Sequence, residues 1–170
     1  MSLQEKLDAF KKDFETNIAP RQAVEAFHRS NQELIDAGYA ERALKAGDLA
    51  PGFTLQDSEG SPVYSRALLA KGPLVVTFYR GAWCPYCNLE LQALEEALPD
   101  IESRGASLVA ISQQGPANSR KSKRENNLTF PILMDRGGSV ANRFGVRWNL
   151  PNYLVEVFKG FKVDLPSLHG

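Results

Sequence analysis

The chain has no excess charge of either sign, no long apolar run, and almost no cysteine or histidine. Its 170 residues carry 20 Lys+Arg against 20 Asp+Glu, so the overall balance calls for no nucleic acid or other polyanion as partner. No stretch reaches the roughly 20 apolar residues that a bilayer-spanning helix needs. The opening MSLQEKLDAFKKDFE mixes acids and bases and never forms the apolar centre of a signal peptide. No membrane partner is therefore expected, and the reducing cytoplasm is the expected compartment. A zinc site takes about four ligands, and beyond the cysteines only His28 and His169 could add imidazoles, so neither a metal nor a cofactor is expected. What the chain does have is a pair. Its only cysteines, Cys84 and Cys87, sit three positions apart in FYRGAWCPYCNLEL. In a reducing compartment such a C-x-x-C pair is more often catalytic or metal-binding than a structural staple.

The first 45 residues read as a two-helix extension. Leu3, Leu7, Phe10, Phe14 and Ile18 recur at helical spacing, Pro20 breaks the run, and Ala23, Val24, Phe27, Leu34 and Ile35 give a second helix ending near Gly38. From residue 46 to 170 the texture is that of an α/β domain. Phe53, Leu55 and Val63 around DSEGSP predict a hairpin. Residues 74–79, apolar on both faces, predict a buried parallel strand; residues 85–103 predict a helix and SLVAIS, 107–112, a second buried strand, completing a βαβ unit. A polar helix over GPANSRKSKRENN, a strand in TFPILMD and a short helix from Ser139 to Gly145 follow. The cations Arg120, Lys121, Lys123 and Arg124 have no aromatic platform beside them and read as a solvated helix face.

On this frame Cys84 falls at the N-cap of the 85–103 helix, with Pro85 at the first helical position, where its missing N–H costs nothing. The unpaired N–H groups and positive dipole end there favour a thiolate. Cys87 opens the stripe Cys87, Leu91, Leu94, Leu98, Ile101 and should be shielded. An exposed, ionised Cys84 and a protected Cys87 one turn away form the asymmetric pair a dithiol catalyst needs. Pro99 should kink or end the helix. Arg80, the nearest cation, either lowers the Cys84 pKa and holds a substrate oxygen or is a solvated strand end. Trp83 either faces substrate or packs over the strand end.

GDLAPGFTLQDSEG, VVTFYRGAWCPYC and LVAISQQGPANSRKSKRENNLTFPILMDRGGSVANRFGV together resemble the peroxiredoxin-like branch of the alkyl hydroperoxide reductase/thiol-specific antioxidant family. The resemblance implies a thioredoxin-like, peroxiredoxin-type fold, and W-C-P-Y-C is also similar to the cassette of thioredoxins and glutaredoxins. Two features depart from the family pattern. In the Pro-x-x-x-Thr/Ser-x-x-Cys loop of peroxiredoxins the hydroxyl helps bind peroxide, and here Thr77 and Gly81 stand at the Pro and Thr/Ser places. Thioredoxin-like domains also close with an antiparallel strand pair preceded by a cis-proline. Pro131, Pro151 and Pro166 are not in that context, so the chain reads as C-terminally truncated, either a fragment or a naturally shortened member.

The resemblance implies a thiol-dependent peroxidase in which Cys84 attacks a hydroperoxide, Cys87 resolves the product, and an external thiol such as a thioredoxin restores both. One alternative is a dithiol–disulfide oxidoreductase acting on proteins through the same residues. Another is a catalytically weak assembly module. Without closing strands, one edge of the 74–79 strand should be open, which favours a homo-oligomer because LPNYLVEVF is patterned more like a helix than a covering strand.

Overall fold

Ser2 starts the first helix through a capping box, its hydroxyl accepting from the Glu5 N–H at 3.3 Å while the Glu5 carboxylate accepts from the Ser2 N–H at 2.7 Å. The computed structural model describes residues 1–169. In chain order these form α1 (Leu3–Asp13), a π-helical turn (Phe14–Ile18), α2 (Arg21–Asp36), α3 (Tyr39–Arg42), β1 (Thr54–Asp57), β2 (Pro62–Tyr64), α4 (Ser65–Leu69), β3 (Leu74–Phe78), α5 (Pro85–Ser103), β4 (Ser107–Ser112), α6 (Pro116–Glu125), β5 (Ile132–Met134), α7 (Ser139–Arg143), α8 (Asn152–Gly160) and α9 (Leu165–His169). They divide into two units, residues 1–50 with 141–167, and residues 51–140 with the chain from Leu168.

In the first unit the N-terminal helices find their core in α8. Phe14 and Phe27 pack on Phe161, with centroids 5.6 and 6.3 Å away, and Phe27 packs on Phe158 at 5.5 Å. Aromatic rings at these separations gain more than their buried area alone supplies. Tyr153 donates to Glu33 at 2.6 Å along the same seam. Ile18, placed by spacing on the apolar face of the first helix, is exposed instead. The π-helical turn adds a residue to the helical repeat and rotates everything after Phe14 out of phase.

The second unit is built on a five-stranded sheet in the order β2-β1-β5-β4-β3. β3, β4 and β5 run parallel, with Val76 opposite Val109 and Ile111 opposite Leu133, and β1 joins β5 antiparallel. β4 is buried along almost its whole length, as a strand flanked on both sides must be. β3 is the edge strand and pairs only with β4 among the described strands, so it is half-exposed where β4 is buried. Cys87, Leu91 and Leu98 of α5 pack with Leu108, Ala110, Phe130 and Ile132 in one cluster. Pro99 does not end α5, which runs on to Ser103, because Leu98 and the half-buried Ile101 keep the last turn seated on that cluster. The N-terminal turn of α7 is tied by Asp135, whose carboxylate accepts from the Val140 N–H at 3.0 Å.

Candidate active site

The site forms where β3 hands over to α5. The Tyr79 N–H extends the sheet ladder by donating to the Ile111 carbonyl at 3.0 Å. Its ring turns inward, where the hydroxyl donates to Ser122 Oγ at 3.2 Å and accepts from Gln114 Nε2 at 2.7 Å. Burial pushes that phenol up to about 12, so it stays a neutral structural group. The chain then reverses at Gly81, with φ 148°. A Cβ here would lie 2.7 Å from Trp83 Nε1 and 3.0 Å from Gln114 Oε1, so only glycine fits without displacing the ring or the amide.

Cys84 closes this turn, its N–H donating to the Gly81 carbonyl at 3.1 Å, and becomes the N-cap of α5 with Pro85 at the first helical position. Its Sγ accepts from the Cys87 N–H at 3.4 Å and from the Arg80 guanidinium at 3.0 Å. The Arg80 guanidinium carbon also lies 4.9 Å from the centroid of the Trp83 ring, and the Arg80 backbone N–H donates to Cys87 Sγ at 3.4 Å. Arg80 therefore touches both sulfurs, one through its side chain and one through its backbone, while the residue as a whole stays exposed to solvent. Both cysteines are free thiols.

The two thiols titrate in opposite directions. A hydrogen bond from the Cys87 side chain, opposed by burial and reinforced by the charge of Arg80, pulls Cys84 down to about 6. The same hydrogen bond, together with burial and the Cys84 charge, pushes Cys87 up. At neutral pH the pair is a thiolate held beside a thiol. The expected exposure does not hold, since Cys84 is fully buried and Cys87 is 8% exposed. Helix position fixes which N–H groups face a sulfur but not what covers it, and here the Arg80 side chain lies over Cys84 while Trp83 packs against the same cluster.

His169, read from the sequence only as a possible zinc ligand, stands at this site, its ring 6.5 Å from that of Trp83. Burial lowers its pKa, partly offset by the Arg80 backbone beside it, so it favours the neutral form. No cluster of three or more metal-ligating side chains occurs among the described residues. Sequence reasoning missed Gln114 and Asn88 altogether. Gln114 Oε1 accepts from the Ala82 N–H at 3.0 Å, and Asn88 Nδ2 donates to the Ala82 carbonyl at 3.0 Å. No spacing rule relates these residues, because the contact depends on how β4 and α5 come together.

Residues 46–161 match the AhpC/TSA family. The chain is similar to the thiol-disulfide oxidoreductase ResA of Halalkalibacterium halodurans, 31% identical over 111 residues that make up 64% of this chain and 62% of ResA. The match therefore spans less than two thirds of ResA. It is also similar to peroxiredoxin Bcp of Escherichia coli K12, 29% identical over 117 residues, 69% of this chain and 74% of Bcp. Among solved structures, peroxidoxin BcpB from Mycobacterium tuberculosis superposes with a TM-score of 0.60 at 33% identity, covering 63% of this chain and 70% of that one. The fold is thioredoxin-like and of the peroxiredoxin type, and the matched region contains both cysteines, Arg80 and Trp83.

Proposed function

Because the chain belongs to the AhpC/TSA family, we propose that it reduces hydroperoxides through a Cys84/Cys87 dithiol–disulfide cycle. The observation that carries this reading is the opposed pair itself, a Cys84 sulfur accepting from both Arg80 and the Cys87 N–H. The Cys84 thiolate attacks one peroxide oxygen, the O–O bond breaks, and the alkoxide leaves and takes a proton from water, so that Cys84 becomes a sulfenic acid. Cys87 then attacks the Cys84 sulfur and the sulfenic hydroxyl departs as water, taking the Cys87 proton. The resulting disulfide regains two electrons and two protons from an external dithiol, for which a thioredoxin is the fitting class. Arg80 is the cation that favours the thiolate and can receive the peroxide oxygens. Trp83, stacked under that guanidinium, is the aromatic wall of the approach.

A specific observation favours a second reading. Gly81 stands where peroxiredoxins carry the hydroxyl that helps bind peroxide, so that donor is missing here, and ResA is named for thiol–disulfide exchange. In this reading Cys84 attacks a protein disulfide, forming a mixed disulfide that Cys87 resolves. One experiment separates the two. The reduced protein is mixed with a limiting hydroperoxide, and peroxide loss is compared with thiol loss. One peroxide consumed per two thiols supports the peroxidase, whereas no peroxide loss together with rapid reduction of an insulin disulfide supports the exchange enzyme. A Cys84 inert in both assays would leave only the assembly module.

Hydroperoxide and external thiol are thus the proposed partners, with a second copy of the chain at the β3 edge. Two cations of α6 have local uses, Arg120 donating to the Ser58 carbonyl at 2.7 Å and Lys121 lying 3.9 Å from Glu125. No helix among the described residues is long and apolar enough to cross a membrane.

A further inference from the structure

Behind the cysteine turn runs a closed circuit of amide hydrogen bonds that the thiol chemistry does not use directly. Its anchor is the Ala82 backbone, two residues before Cys84. On one side the Ala82 N–H donates to Gln114 Oε1 at 3.0 Å. On the other, its carbonyl accepts from Asn88 Nδ2 at 3.0 Å. Asn88 Oδ1 accepts from Asn126 Nδ2 at 3.1 Å, and that amide also donates to the Ser122 carbonyl at 3.0 Å. Ser122 Oγ accepts from Gln114 Nε2 at 3.0 Å, which returns the circuit to its start. Two spurs complete it. The Tyr79 hydroxyl bonds to both Gln114 and Ser122, and Gln92 donates to Asn126 Oδ1 at 2.9 Å.

Gln114 and Ser122 are fully buried and Asn126 nearly so. Burying the polar side chains of Gln114, Ser122 and Asn126 is tolerable because both N–H groups of the Gln114 and Asn126 amides find acceptors, and a network bonded in this way has little freedom to adjust. Its position gives the rigidity a purpose. Gln114 grips Tyr79 before the turn and the Ala82 N–H within it, and Asn88 ties the Ala82 carbonyl to the first turns of α5. Between the Tyr79 and Ala82 grips lie Arg80 and Gly81, and Cys84 follows two residues after Ala82. A thiolate held by a guanidinium at 3.0 Å depends steeply on that geometry, because charge-assisted bonds weaken quickly when lengthened or bent.

We propose that Gln114 and Asn88 are positioning residues for the thiol chemistry: by fixing the two peptide groups that flank the Ala82 Cα, one through its N–H and one through its carbonyl, they hold the Arg80 guanidinium and Cys84 Sγ at bonding distance. The proposal rests on the reading of Cys84 as the attacking thiol. Neither residue touches the sulfur through its own side chain, so both act through the turn.

The test is the pH profile of alkylation at Cys84 in the reduced protein, located by peptide mass and measured beside thermal unfolding. Gln114→Met keeps the volume and removes the bonds, and Asn88→Ala releases the opposite grip. Ser119→Ala is the control, since the Ser119 hydroxyl is buried in the same region and has no hydrogen-bond partner. Both grip variants should move the alkylation midpoint upward by about one pH unit, making alkylation about tenfold slower below the midpoint while leaving the alkaline plateau unchanged. Ser119→Ala should follow the wild type. Grip variants that melt earlier but keep the wild-type midpoint would overturn the proposal, and Asn88→Ala decides alone if Gln114→Met does not fold. A wild-type midpoint near 8.5 would sink the reading of Cys84 as an activated thiolate and this proposal with it. A wild-type midpoint near 6 with unmoved variants would sink this proposal only.

Discussion

The Arg80 guanidinium donates to Cys84 Sγ at 3.0 Å from a position four residues earlier in the chain. Among the described residues this is the one hydrogen bond to the sulfur from a charged group, and such a bond is worth about 1.5–3 kcal/mol. Arg80→Met should therefore raise the Cys84 midpoint by about one to two pH units. Reaction with iodoacetamide near neutral pH should slow by roughly tenfold and recover in alkali, where the thiolate forms without help. An unchanged profile would mean that the helix end and Cys87 suffice, and that Arg80 serves only to stack on Trp83.

Cys87 makes the largest single contribution to lowering the Cys84 pKa, so removing it should do two things at once. In Cys87→Ala the Cys84 midpoint rises, and after hydroperoxide treatment the intact protein should be heavier by one oxygen, the mass of a trapped sulfenic acid. The wild type should instead become lighter by two hydrogens as the disulfide closes. Cys84→Ser should do neither. If Cys84→Ser is the variant that keeps rapid alkylation near neutral pH, the two roles are reversed.

The local part of this site was legible in the chain. Pro85 at the first helical position, Cys84 as N-cap and Cys87 opening the stripe that runs through Leu91 and Leu98 all follow from the spacing of one helix, and the structure has each of them. The failures share another cause. Ile18 fell out of phase because a π-helical turn is an insertion that periodicity does not register. The gripping of Ala82 depends on Gln114 from the segment between β4 and α6 and on Asn88 of α5, and the contact that lies on Cys84 Sγ comes from Arg80 in the turn before it. Polar side chains such as Gln114, Asn88 and Asn126 carry no hydrophobic period by which a reading of the sequence could bring them together.

The edge position of β3 gives a prediction about assembly. Val75 is 37% exposed on a strand that is apolar apart from Thr77, and the outer backbone groups of such a strand are a template for pairing. Light scattering should find the protein associated at micromolar concentration, and Val75→Lys should shift it toward monomer, because a charge at a sheet edge discourages pairing. A monomeric wild type with slow amide exchange along residues 74–78 would rule out self-association and show that the edge is already protected within one chain.

The opposed titration of the two thiols makes stability depend on pH in a direction that can be worked out. In an unfolded chain nothing holds either thiol far from about 8.5. Cys84 falls to about 6 in the folded protein, so its ionised form stabilises the fold. That stabilisation is fully present above about 8.5 and is lost as pH falls through about 6, below which both states carry the proton. Cys87 runs the other way. Because its pKa is raised, its contribution is present in the protonated form and fades only as pH climbs beyond about 8.5. Between about 6 and 8 Cys87 stays protonated in both states, so of the two thiols only Cys84 contributes to the slope, and the comparison with Cys84→Ser cancels the contribution of His169. Urea unfolding of the reduced wild type and of Cys84→Ser across that range should therefore show a stability difference that shrinks as pH is lowered. The oxidised wild type, with no thiol left to titrate, should lack this component. A difference that stays flat or widens toward acid would mean that Cys84 is not held as a thiolate, and the mechanism built on it would fall.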